Sequence, residues 1–535
     1  MQKSLLLGDE AIAQAAIDAG ISGIYAYPGT PSTEITEYVQ RSPEAKKKNI
    51  RSSWSANEKT AAEAALGMSY AGKRTMVCMK HVGLNVAADP FVNSAVTGAN
   101  GGIIYVVADD PSMHSSQNEQ DSRALGKFAL MPILEPSTQQ EAYDMVHYGF
   151  DISEKYQTPV LMRITTRLAH SRAGVSRKPS KSQNETMLPK DLRQFVLLPS
   201  IARKRYKILL ENQQAFEKEA ESNFNTYFAG KDTSLGIIAC GIAYNYLMEN
   251  YPENSIPYPV LKLNQYPVPS KMIQKMVDSC DEILVLEDGY PVVEELIKGL
   301  LSVGLKIKGR LDGTVPRDGE LNPNIVANAL GIDVILGKDI PDLVVGRPPS
   351  FCKGCPHIDS YIALQEALKP YGDGRVFSDI GCYTLGALKP FEAINSCVDM
   401  GASITMAKGA ADAGMTPAVA VIGDSTFAHS GITGLLDAVN DKSNITVVIL
   451  DNATTAMTGG QASSAFGRIE EICKGIGVEE EHIRTLKPLK NKHDENFKIF
   501  EEELAYEGVS VIIPRRECIV TLNKRMREKF AKKNK

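Results

Sequence analysis

Residues 419–452, VAVIGDSTFAHSGITGLLDAVNDKSNITVVILDN, carry the clearest structural signal in the chain. Two apolar runs, VAVI and ITVVIL, flank a segment whose apolar residues recur at helical spacing, which is the pattern of a βαβ unit. A right-handed crossover lays such strands side by side in a parallel sheet, with Asp424 and Asn452 at neighbouring carboxyl ends. Open α/β sheets bind ligands at that edge, and carboxylate and amide oxygens suit Mg²⁺, which keeps positions open for phosphate. The stretch therefore predicts a magnesium and diphosphate site.

Composition excludes several classes of protein. The 535 residues are 43% hydrophobic and 23% charged, which is typical of a globular protein of about two to four domains. The net charge of -5 argues against nucleic acid as the main partner, and no apolar run approaches the length of a membrane span. Asp9 and Glu10 directly follow three leucines, so the N-terminus lacks a secretory h-region. We expect a cytoplasmic protein.

The rest of the chain divides into predicted domains. Strand-like runs at 23–28, 74–80, 101–109 and 158–164 alternate with helical segments, and a second α/β pattern begins at residue 234. Between these two patterns lies a polar stretch followed by a predicted charged helix, which favours a connector between two domains. The predicted boundaries are an α/β domain at 1–180, a connector at 181–232, a middle α/β domain at 233–345 and a last α/β domain at 346–535.

Two motifs resemble a known superfamily. Gly423-Asp424-Ser425 followed by Asp451-Asn452 resembles the diphosphate signature of thiamine diphosphate enzymes, commonly GDG and then NN, although Ser425 departs from that pattern. A plain βαβ unit with an acidic strand end is the alternative explanation. NEKTAAEAALG, residues 57–67, resembles the pyrimidine-side segment of the same enzymes. There the glutamate matching Glu58 hydrogen-bonds N1′ of the aminopyrimidine and promotes the tautomer whose N4′ removes the C2 proton of the thiazolium. Glu63 is the competing carboxylate.

Longer strings narrow the resemblance. They are YPGTPSTEI (27–35), WSANEKTAAEAALGMSYAGKRTMVCMKHVGLNVAADP (54–90), FCKGCPH (351–357), SDIGCYTLGALKP (378–390), GDSTFAHSGI (423–432) and LDNATTAMTGGQ (450–461). From about residue 4 to 525 the chain resembles the large subunits of indolepyruvate:ferredoxin oxidoreductases, of the thiamine diphosphate-dependent 2-oxo acid:ferredoxin oxidoreductase superfamily. This implies three parallel-sheet domains with thiamine diphosphate-binding folds: pyrimidine type, a middle domain like the C-terminal domain of transketolase, and diphosphate type. It also implies oxidative decarboxylation of an aryl 2-oxo acid to its acyl-CoA, with electrons passed to ferredoxin or a partner.

The resemblance assigns the cofactor residues. Glu58 is the catalytic carboxylate, and the Mg²⁺ ligands are Asp424, Asn452 and the backbone carbonyl of Thr454. The remaining residues expected to contact thiamine diphosphate are Gly423, Ser425, Thr426, Thr455 and Met457.

Other polar residues are candidates for the substrate side. Thr30, with Pro28 in the same turn, matches a substrate-facing threonine of related oxidoreductases. His81 and His429 are candidate catalytic groups because imidazole titrates near neutral pH, and a hydrogen-bonded structural histidine is the alternative for each. Ser112, His114 and Arg123 belong to a polar loop after a strand, DDPSMHSSQNEQDSR, which either lines the site or is a solvated turn.

Nine cysteines, an odd number, indicate free thiols or metal ligands and not a disulfide framework. The family's large subunit normally ends in a ferredoxin-like module with C-x₂-C-x₂-C-x₃-C runs, and this chain stops about where that module would begin. Cys352, Cys355 and Cys382 resemble ligands of a cluster close to the thiamine. The fourth would be Cys397, Cys473 or Cys518, none of which lies in a recognisable motif, so we expect no iron–sulfur cluster within this chain.

Partners follow from the resemblance alone. They are a smaller beta subunit, ferredoxin or another electron acceptor, and coenzyme A, with the chain forming a homodimer or a heterotetramer and binding neither nucleic acid nor membrane. A non-oxidative thiamine diphosphate-dependent decarboxylase or carboligase is the main alternative function. A regulatory subunit without catalysis is a third, which the retained Glu58, Asp424 and Asn452 argue against.

Overall fold

The strands predicted from apolar runs are present in the computed structural model, which describes residues 3–191, 193–299, 306–334 and 337–533. The chain divides into two units, residues 1–338 and 339–535. The fourteen strands described in unit 1 are β1 (Ser4–Leu7), β2 (Gly23–Ala26), β3 (Arg51–Trp54), β4 (Thr75–Lys80), β5 (Ile103–Asp109), β6 (Ile133–Leu134), β7 (Val160–Thr165), β8 (Arg172–Val175), β9 (Thr226–Phe228), β10 (Gly236–Cys240), β11 (Val260–Leu263), β12 (Gln265–Tyr266), β13 (Glu282–Leu286) and β14 (Lys306–Lys308).

Helices connect these strands on both faces of the sheets. In the described part of unit 1 they are α1 (Gly8–Asp18), α2 (Thr33–Arg41), α3 (Pro43–Lys47), α4 (Glu58–Tyr70), α5 (His81–Val86), α6 (Ala88–Thr97), α7 (Ser122–Phe128), α8 (Gln139–Tyr156), α9 (Thr166–His170), α10 (Pro199–Ser222), α11 (Ala243–Met248), α12 (Ser270–Ser279), α13 (Val292–Lys298) and α14 (Pro323–Leu330). The central strands β5, β7 and β10 are buried along their whole length, as expected for parallel sheets covered on both faces.

Unit 1 contains two main sheets. One has the order β12-β6-β7-β5-β4-β2-β3 and is parallel except for the antiparallel pairing of β12 with β6. The other has the order β14-β13-β10-β11-β9 and is parallel except for β9. Strand β11 belongs to the second sheet, and β12, which follows it in the chain, pairs with β6 at the edge of the first sheet. The chain therefore passes directly from one sheet to the other at this point. Their cores are also continuous, since Ile104 of β5 and Ile237 of β10 belong to one apolar cluster.

Unit 2 is built on one parallel sheet of order β16-β15-β17-β18-β22-β21 with a small hairpin, β19-β20, beside it. Its described strands are β15 (Val376–Ser378), β16 (Ser396–Cys397), β17 (Ala418–Gly423), β18 (Ile445–Leu450), β19 (Thr454–Thr455), β20 (Gln461–Ala462), β21 (Ile483–Leu486) and β22 (Val509–Pro514). Its described helices are α15 (Pro356–Leu368), α16 (Ala402–Asp412), α17 (Asp424–Thr426), α18 (Ile432–Asn440), α19 (Ile469–Ile476), α20 (His493–Leu504) and α21 (Ile519–Lys533). The predicted α/β class with parallel sheets is confirmed. None of the described helices combines the length and apolar character that a bilayer span requires.

A buried arginine joins the two sheets of unit 1. Arg123 is 0% exposed, and all five of its N–H donors are used within the protein. They bond both carboxylate oxygens of Asp121 (2.9 and 2.6 Å), Glu287 (2.9 Å), the hydroxyl of Tyr266 (3.1 Å) and the carbonyl of Tyr290 (3.0 Å). Arg123 was expected from the sequence to lie in a polar loop beside the substrate. The structure corrects this, because no donor of the side chain is left for a ligand.

Arg163 of β7 forms a second buried ion-pair network next to that of Arg123, since both arginines pair with Glu135. Its Nε donates to Asp109 (2.6 Å), and its terminal nitrogens donate to Glu135 and to the carbonyl of Asp288 (2.6 Å). Both arginines are fully buried, so each neutralises carboxylates that would otherwise be desolvated without a partner. The pKa of Asp288 is nevertheless raised to about 6 by burial.

Arg123→Met should destabilise unit 1 severely. The substitution removes the cation hydrogen-bonded to Glu287 and leaves Asp121 only its longer contact with Arg163 (3.4 Å); breaking a buried ion pair costs about 3–5 kcal/mol in comparable sites. Urea unfolding followed by circular dichroism measures the change. The control is Arg41→Met, which removes an ion pair to Glu37 from a side chain that is 74% exposed and should cost about 0–1 kcal/mol. Equal losses for the two variants would contradict a special role for the buried arginine.

Candidate active site

Asp424 and Asn452 lie at adjacent strand ends, as the βαβ pattern predicts. In the parallel pair, Gly423 is level with Leu450, so the residues that follow each strand emerge at the same edge of the sheet. Both side chains are buried, at 2% and 6% exposure. The sheet therefore presents one carboxylate and one amide side by side at its carboxyl edge.

The Asp424 carboxylate has an unsatisfied oxygen. Its Oδ1 accepts a hydrogen bond from the backbone N–H of Ser425 (2.8 Å), whereas Oδ2 is buried without a hydrogen-bond partner. Burial, and secondly the Asp451 carboxylate, raise the pKa of Asp424 to about 7. A divalent cation at Oδ2 would satisfy that oxygen and favour the charged form. The residues present thus fit a magnesium ion.

The turn after Asn452 brings the predicted TTAM segment to this edge. Ala453 has a left-handed backbone (φ 64°), and the amide oxygen of Asn452 accepts from the N–H of Thr454 (3.1 Å). Thr454 and Thr455 then form β19 of the hairpin. The hydroxyl of Thr455 lies 2.9 Å from that of Ser425, so the structure brings together the segments expected to bind the diphosphate. Met457 follows in a short helical turn and is exposed.

Tyr383 explains why residue 423 is glycine. It was not among the predicted site residues, and its place in the IGCYTLG string is the only sequence feature that points to it. A Cβ added at Gly423 would lie 2.6 Å from the Tyr383 ring, and one added at Gly381 would lie 2.2 Å from it. The Tyr383 hydroxyl donates to Asp379, whose other oxygen accepts from Ser403 (2.6 Å). Burial raises the pKa of Asp379 to about 7. The ring is therefore fixed against the glycine backbone.

His429 lies directly beyond Asp424 on a π-helical turn, Phe427–Gly431, between α17 and α18. Such turns occur often at functional sites because the extra residue re-aims a side chain. His429 is buried, and its Nδ1 is 2.6 Å from the hydroxyl of Ser430. The hydroxyl of Thr426 donates to the carbonyl of Ile380 (3.1 Å), which ties this helix to the strand end of β15.

His357, which lies in the FCKGCPH string, was not among the predicted site residues. Its Nε2 is 3.4 Å from the side-chain nitrogen of Asn452. Burial lowers the pKa of His357 to about 4, so the imidazole is neutral near neutral pH and can accept a hydrogen bond from the amide. His357 thereby orients Asn452 with its oxygen available to the cation.

Four cysteines line one cavity of about 410 Å³ beside this site. Cys352, Cys355, Cys382 and Cys518 all contribute to its wall, and so does Asn452. Burial, and secondly the neighbouring Cys355 and Cys518 thiols, raise the pKa of Cys382 to about 12. No three of the four sulfur atoms lie within 4.8 Å of one another. Ligands of one zinc ion, at bonds of about 2.3 Å, would lie closer together than this.

Cys518 is the fourth thiol, and its position follows from the sheet. Its backbone N–H donates to the carbonyl of Asn452 (3.1 Å), because β22 is the parallel neighbour of β18. The other two candidates for this role lie elsewhere. Cys397 is in β16 at the edge of the sheet, and Cys473 is in the core on α19.

Four adjacent strands thus supply the residues of one edge. In sheet order, Cys382 follows β15, Asp424 follows β17, Asn452 follows β18 and Cys518 follows β22. Thiols flank the cation ligands on both sides. Cys352 and Cys355 complete the set from the segment that precedes α15.

In unit 1 the structure distinguishes the two candidate glutamates. Glu58 begins α4 and is 4% exposed, and a Cβ added at Gly83 would lie 2.5 Å from its carboxylate. Glu63 is exposed and pairs with Lys59 on the helix surface. Glu58 is therefore buried and closely packed against the Gly83 backbone, whereas Glu63 is a surface residue.

The turn containing Thr30 lies at the carboxyl end of β2. Pro28 is buried and Thr30 is partly exposed. Hydrogen bonds from Ser32 to the carbonyl of Gly29 (2.8 Å) and from the N–H of Gly29 to Thr33 (3.0 Å) fix the turn. The Thr30 hydroxyl is therefore presented from a rigid backbone.

The polar loop after β5 docks within unit 1. The Ser112 hydroxyl accepts from the N–H of Glu320 (2.6 Å), and His114 Nε2 lies 3.1 Å from the Glu320 carboxylate. His81 begins α5, is buried and has its Nε2 3.2 Å from the carbonyl of Asn118. The loop thus lies over the carboxyl edge of this sheet, with His114 half-exposed.

Comparison with known proteins agrees with this geometry. Residues 14–225 match the thiamine diphosphate-binding domain of pyruvate flavodoxin/ferredoxin oxidoreductases, and residues 379–495 match the C-terminal binding domain of thiamine pyrophosphate enzymes. The fold and the site define a thiamine diphosphate-binding oxidoreductase of the 2-oxo acid:ferredoxin class.

Relatives identify the family within that class. The indolepyruvate oxidoreductase subunit IorA of Archaeoglobus fulgidus is 39% identical over 97% of this chain and 87% of the relative. The IorA subunits of Pyrococcus abyssi and Methanothermobacter thermautotrophicus are each 38% identical over 97% of this chain, and the matches cover 86% and 87% of those relatives. The chain belongs to the IorA family of indolepyruvate oxidoreductase subunits.

Asp424→Asn should abolish magnesium-dependent binding of thiamine diphosphate. The amide keeps the shape but removes the charge that the cation requires, and we expect an affinity loss beyond about 100-fold, since even outer-shell changes at metal sites cost about 10- to 100-fold. Calorimetric titration of thiamine diphosphate with Mg²⁺ measures it. Asp437→Asn, exposed on α18, is the matched control. Unchanged affinity in Asp424→Asn would exclude this residue as a ligand.

Proposed function

We propose that this protein catalyses the thiamine diphosphate-dependent oxidative decarboxylation of an aryl 2-oxo acid, of which indolepyruvate is the type. The 2-oxo acid anion and coenzyme A give the acyl-CoA, carbon dioxide, one proton and two electrons, and the electrons leave through a partner or ferredoxin. The substrate assignment rests on the name of the relatives, and the chemistry rests on the site.

One observation favours the oxidative reaction over the non-oxidative alternative. Cys382 and Cys518 leave the strands on either side of Asp424 and Asn452, so thiols line a cavity next to the cation ligands. A decarboxylase or carboligase that releases an aldehyde or a condensation product transfers no electrons and has no use for a set of thiols there. An enzyme that oxidises the substrate needs an electron carrier beside its cofactor.

The residues of unit 2 would bind and orient the cofactor and its magnesium ion. When bound, thiamine diphosphate supplies the electron sink for loss of carbon dioxide. Asp424, Asn452 and the Thr454 carbonyl would hold the magnesium ion, and Gly423 lets backbone donors approach the diphosphate because it has no side chain. Ser425 and Thr455, linked through their hydroxyls, would contact phosphate oxygens. Neutral His357 keeps the Asn452 oxygen directed at the ion.

The residues of unit 1 handle the proton and the substrate. Glu58, held in place by the helix start and the Gly83 backbone, would share a proton with N1′ of the aminopyrimidine. Thr30 would donate a hydrogen bond to the substrate from its fixed turn. His81 of this unit and His429 of unit 2 are the groups proposed to donate a proton or to bind the substrate carboxylate, and His114 is proposed to line the substrate side.

We also propose an iron–sulfur cluster held by Cys352, Cys355, Cys382 and Cys518. The sequence alone supplied only three thiols with a recognisable pattern, whereas the cavity contains four. Their spacing exceeds that of a single-ion site, and a cubane cluster holds its four thiolates further apart than zinc does. The cluster would accept electrons singly from the neighbouring cofactor.

A smaller second subunit is proposed as partner, since the relatives are named as subunits. Coenzyme A is the proposed acyl acceptor. The overall test uses anaerobically purified chain with its partner subunit, thiamine diphosphate, Mg²⁺ and coenzyme A. Indolepyruvate should then reduce a viologen dye, whereas formation of an aldehyde without dye reduction would establish the non-oxidative reaction instead.

Glu58→Gln should lower turnover at least about 100-fold, which is the size of a general acid–base contribution, while leaving cofactor affinity nearly unchanged. The amide cannot exchange the proton at N1′ but occupies the same space. Dye reduction and cofactor titration are measured on the same preparation. Glu63→Gln, on the surface of the same helix, should behave like the parent protein. Full activity of Glu58→Gln would show that another group exchanges the proton with N1′.

Cys518→Ser should lower the iron content and the visible absorption of anaerobically purified protein to less than half. The parent is expected to hold about four iron atoms per chain. Cys397→Ser, outside the cavity, is the control and should keep both signals. Colourless, iron-free parent protein would remove the cluster from the proposal, while leaving the decarboxylation to be decided by product analysis.

A further inference from the structure

A second cluster of metal-ligating side chains lies in unit 1, away from the residues discussed so far. Asp9 of α1, Glu34 of α2 and His170 of α9 each direct one ligand atom to a common point, and these three atoms lie within 4.8 Å of one another. The His170 Nε2 is 3.7 Å from a carboxylate oxygen of Glu34. Three helices therefore converge on two carboxylates and one imidazole.

Asp9 gives the strongest indication of a ligand. It is 0% exposed, and neither of its carboxylate oxygens has a hydrogen-bond partner. A buried carboxylate is normally satisfied by several donors, because an unpaired one is costly. The carboxylate of Glu10, the next residue, accepts a hydrogen bond from the backbone N–H of Leu7 (2.9 Å) and has no donor to offer to Asp9. The three ligand atoms therefore meet beside a buried carboxylate that accepts no hydrogen bond from the protein.

We propose that Asp9, Glu34 and His170 bind one divalent transition-metal ion. Imidazole with carboxylates is a donor set suited to Mn²⁺, Fe²⁺ or Zn²⁺, and three protein ligands leave positions for water. Bonds of about 2.0–2.2 Å would draw the three atoms to roughly 3–3.5 Å apart, which requires small side-chain movements. This proposal does not depend on the proposed enzymatic function.

The cluster has a side that faces solvent. Glu34 also lines a surface cavity of about 400 Å³ whose wall carries Glu10, Glu37 and Glu44 as well. The arginines of that wall are already engaged: Arg41 pairs with Glu37 (2.5 Å), and Arg177 binds Asp18 and Glu44. His170 is 37% exposed at the outer end of the cluster. An acidic surface cavity thus opens beside Glu34, one of the three proposed ligands.

Binding would order the turn that carries Thr30. Helix α2 begins at Thr33, and Glu34 is its second residue, so an ion held by Glu34 fixes the start of that helix to α1 and α9. The YPGTP turn directly precedes it in the chain. The ion is therefore assigned a positioning role, next to the candidate substrate side of unit 1.

The test compares manganese binding by the full-length protein and its variants after removal of metals with a chelator. Free Mn²⁺ is quantified by electron paramagnetic resonance during a titration. The parent protein should bind one more equivalent of Mn²⁺ than Asp9→Asn or His170→Gln. Mn²⁺ bound at Asp424 is common to all variants and cancels in the comparison. Manganese is used because the thiol cavity favours softer ions.

Glu37→Gln is the matched control, since it removes a carboxylate from the same cavity wall but not from the three ligands, and it should bind as many equivalents as the parent. Thermal unfolding in chelator shows whether each variant is folded, and His170→Gln decides the question if Asp9→Asn is not. Equal stoichiometry in the parent, Asp9→Asn and His170→Gln would overturn the proposal. Asp9 would then be a protonated buried carboxyl, its pKa raised by burial and by Glu34 and Glu10.

Discussion

The parallel register of β17 with β18 holds Gly423 level with Leu450, and the chemistry of unit 2 depends on that alignment. Parallel strands end at one edge of a sheet, so residues far apart in sequence must meet there. The same rule extends to the next strands on either side. Cys382 and Cys518 are 136 positions apart, yet they flank Asp424 and Asn452 because β15 and β22 flank β17 and β18. A single geometric rule thus places the candidate cation ligands and a set of thiols side by side.

Desolvation is the second physical constraint. Asp424 and Asp379 are buried carboxylates whose pKa values are both raised to about 7, but the hydrogen-bond partners of their oxygens differ. Asp379 is satisfied by hydroxyl groups of Tyr383 and Ser403, which makes it structural. Asp424 keeps one oxygen unsatisfied, which makes it a candidate ligand for a cation. Arg123 shows a third outcome, in which every donor of a buried charge is used inside the protein.

Sequence patterns identified residues whose role depends on their neighbours along the chain. Asp424, Asn452 and Glu58 were found because a strand end or a helix start is a local feature with a recognisable pattern. Arg123 was misassigned because a polar loop in the sequence and a buried ion-pair network use the same residue types. His357 and Tyr383 stood in quoted strings but were not singled out, since a histidine near Asn452 and a tyrosine packed on two glycines leave no periodic signal.

The sequence alone determined the α/β class, the parallel βαβ unit and the placement of Asp424 and Asn452 at one sheet edge, because apolar runs, helical spacing and strand-end residues are local properties. It also predicted Glu58 over Glu63 as the catalytic carboxylate. Tertiary structure alone decided which cysteine is the fourth of its set, which arginine is buried, and that Asp9, Glu34 and His170 meet. These facts depend on strand order and helix packing between distant segments. The physical reason is that burial, which gives a carboxylate or thiol its chemistry, is a property of the surroundings and not of the residue.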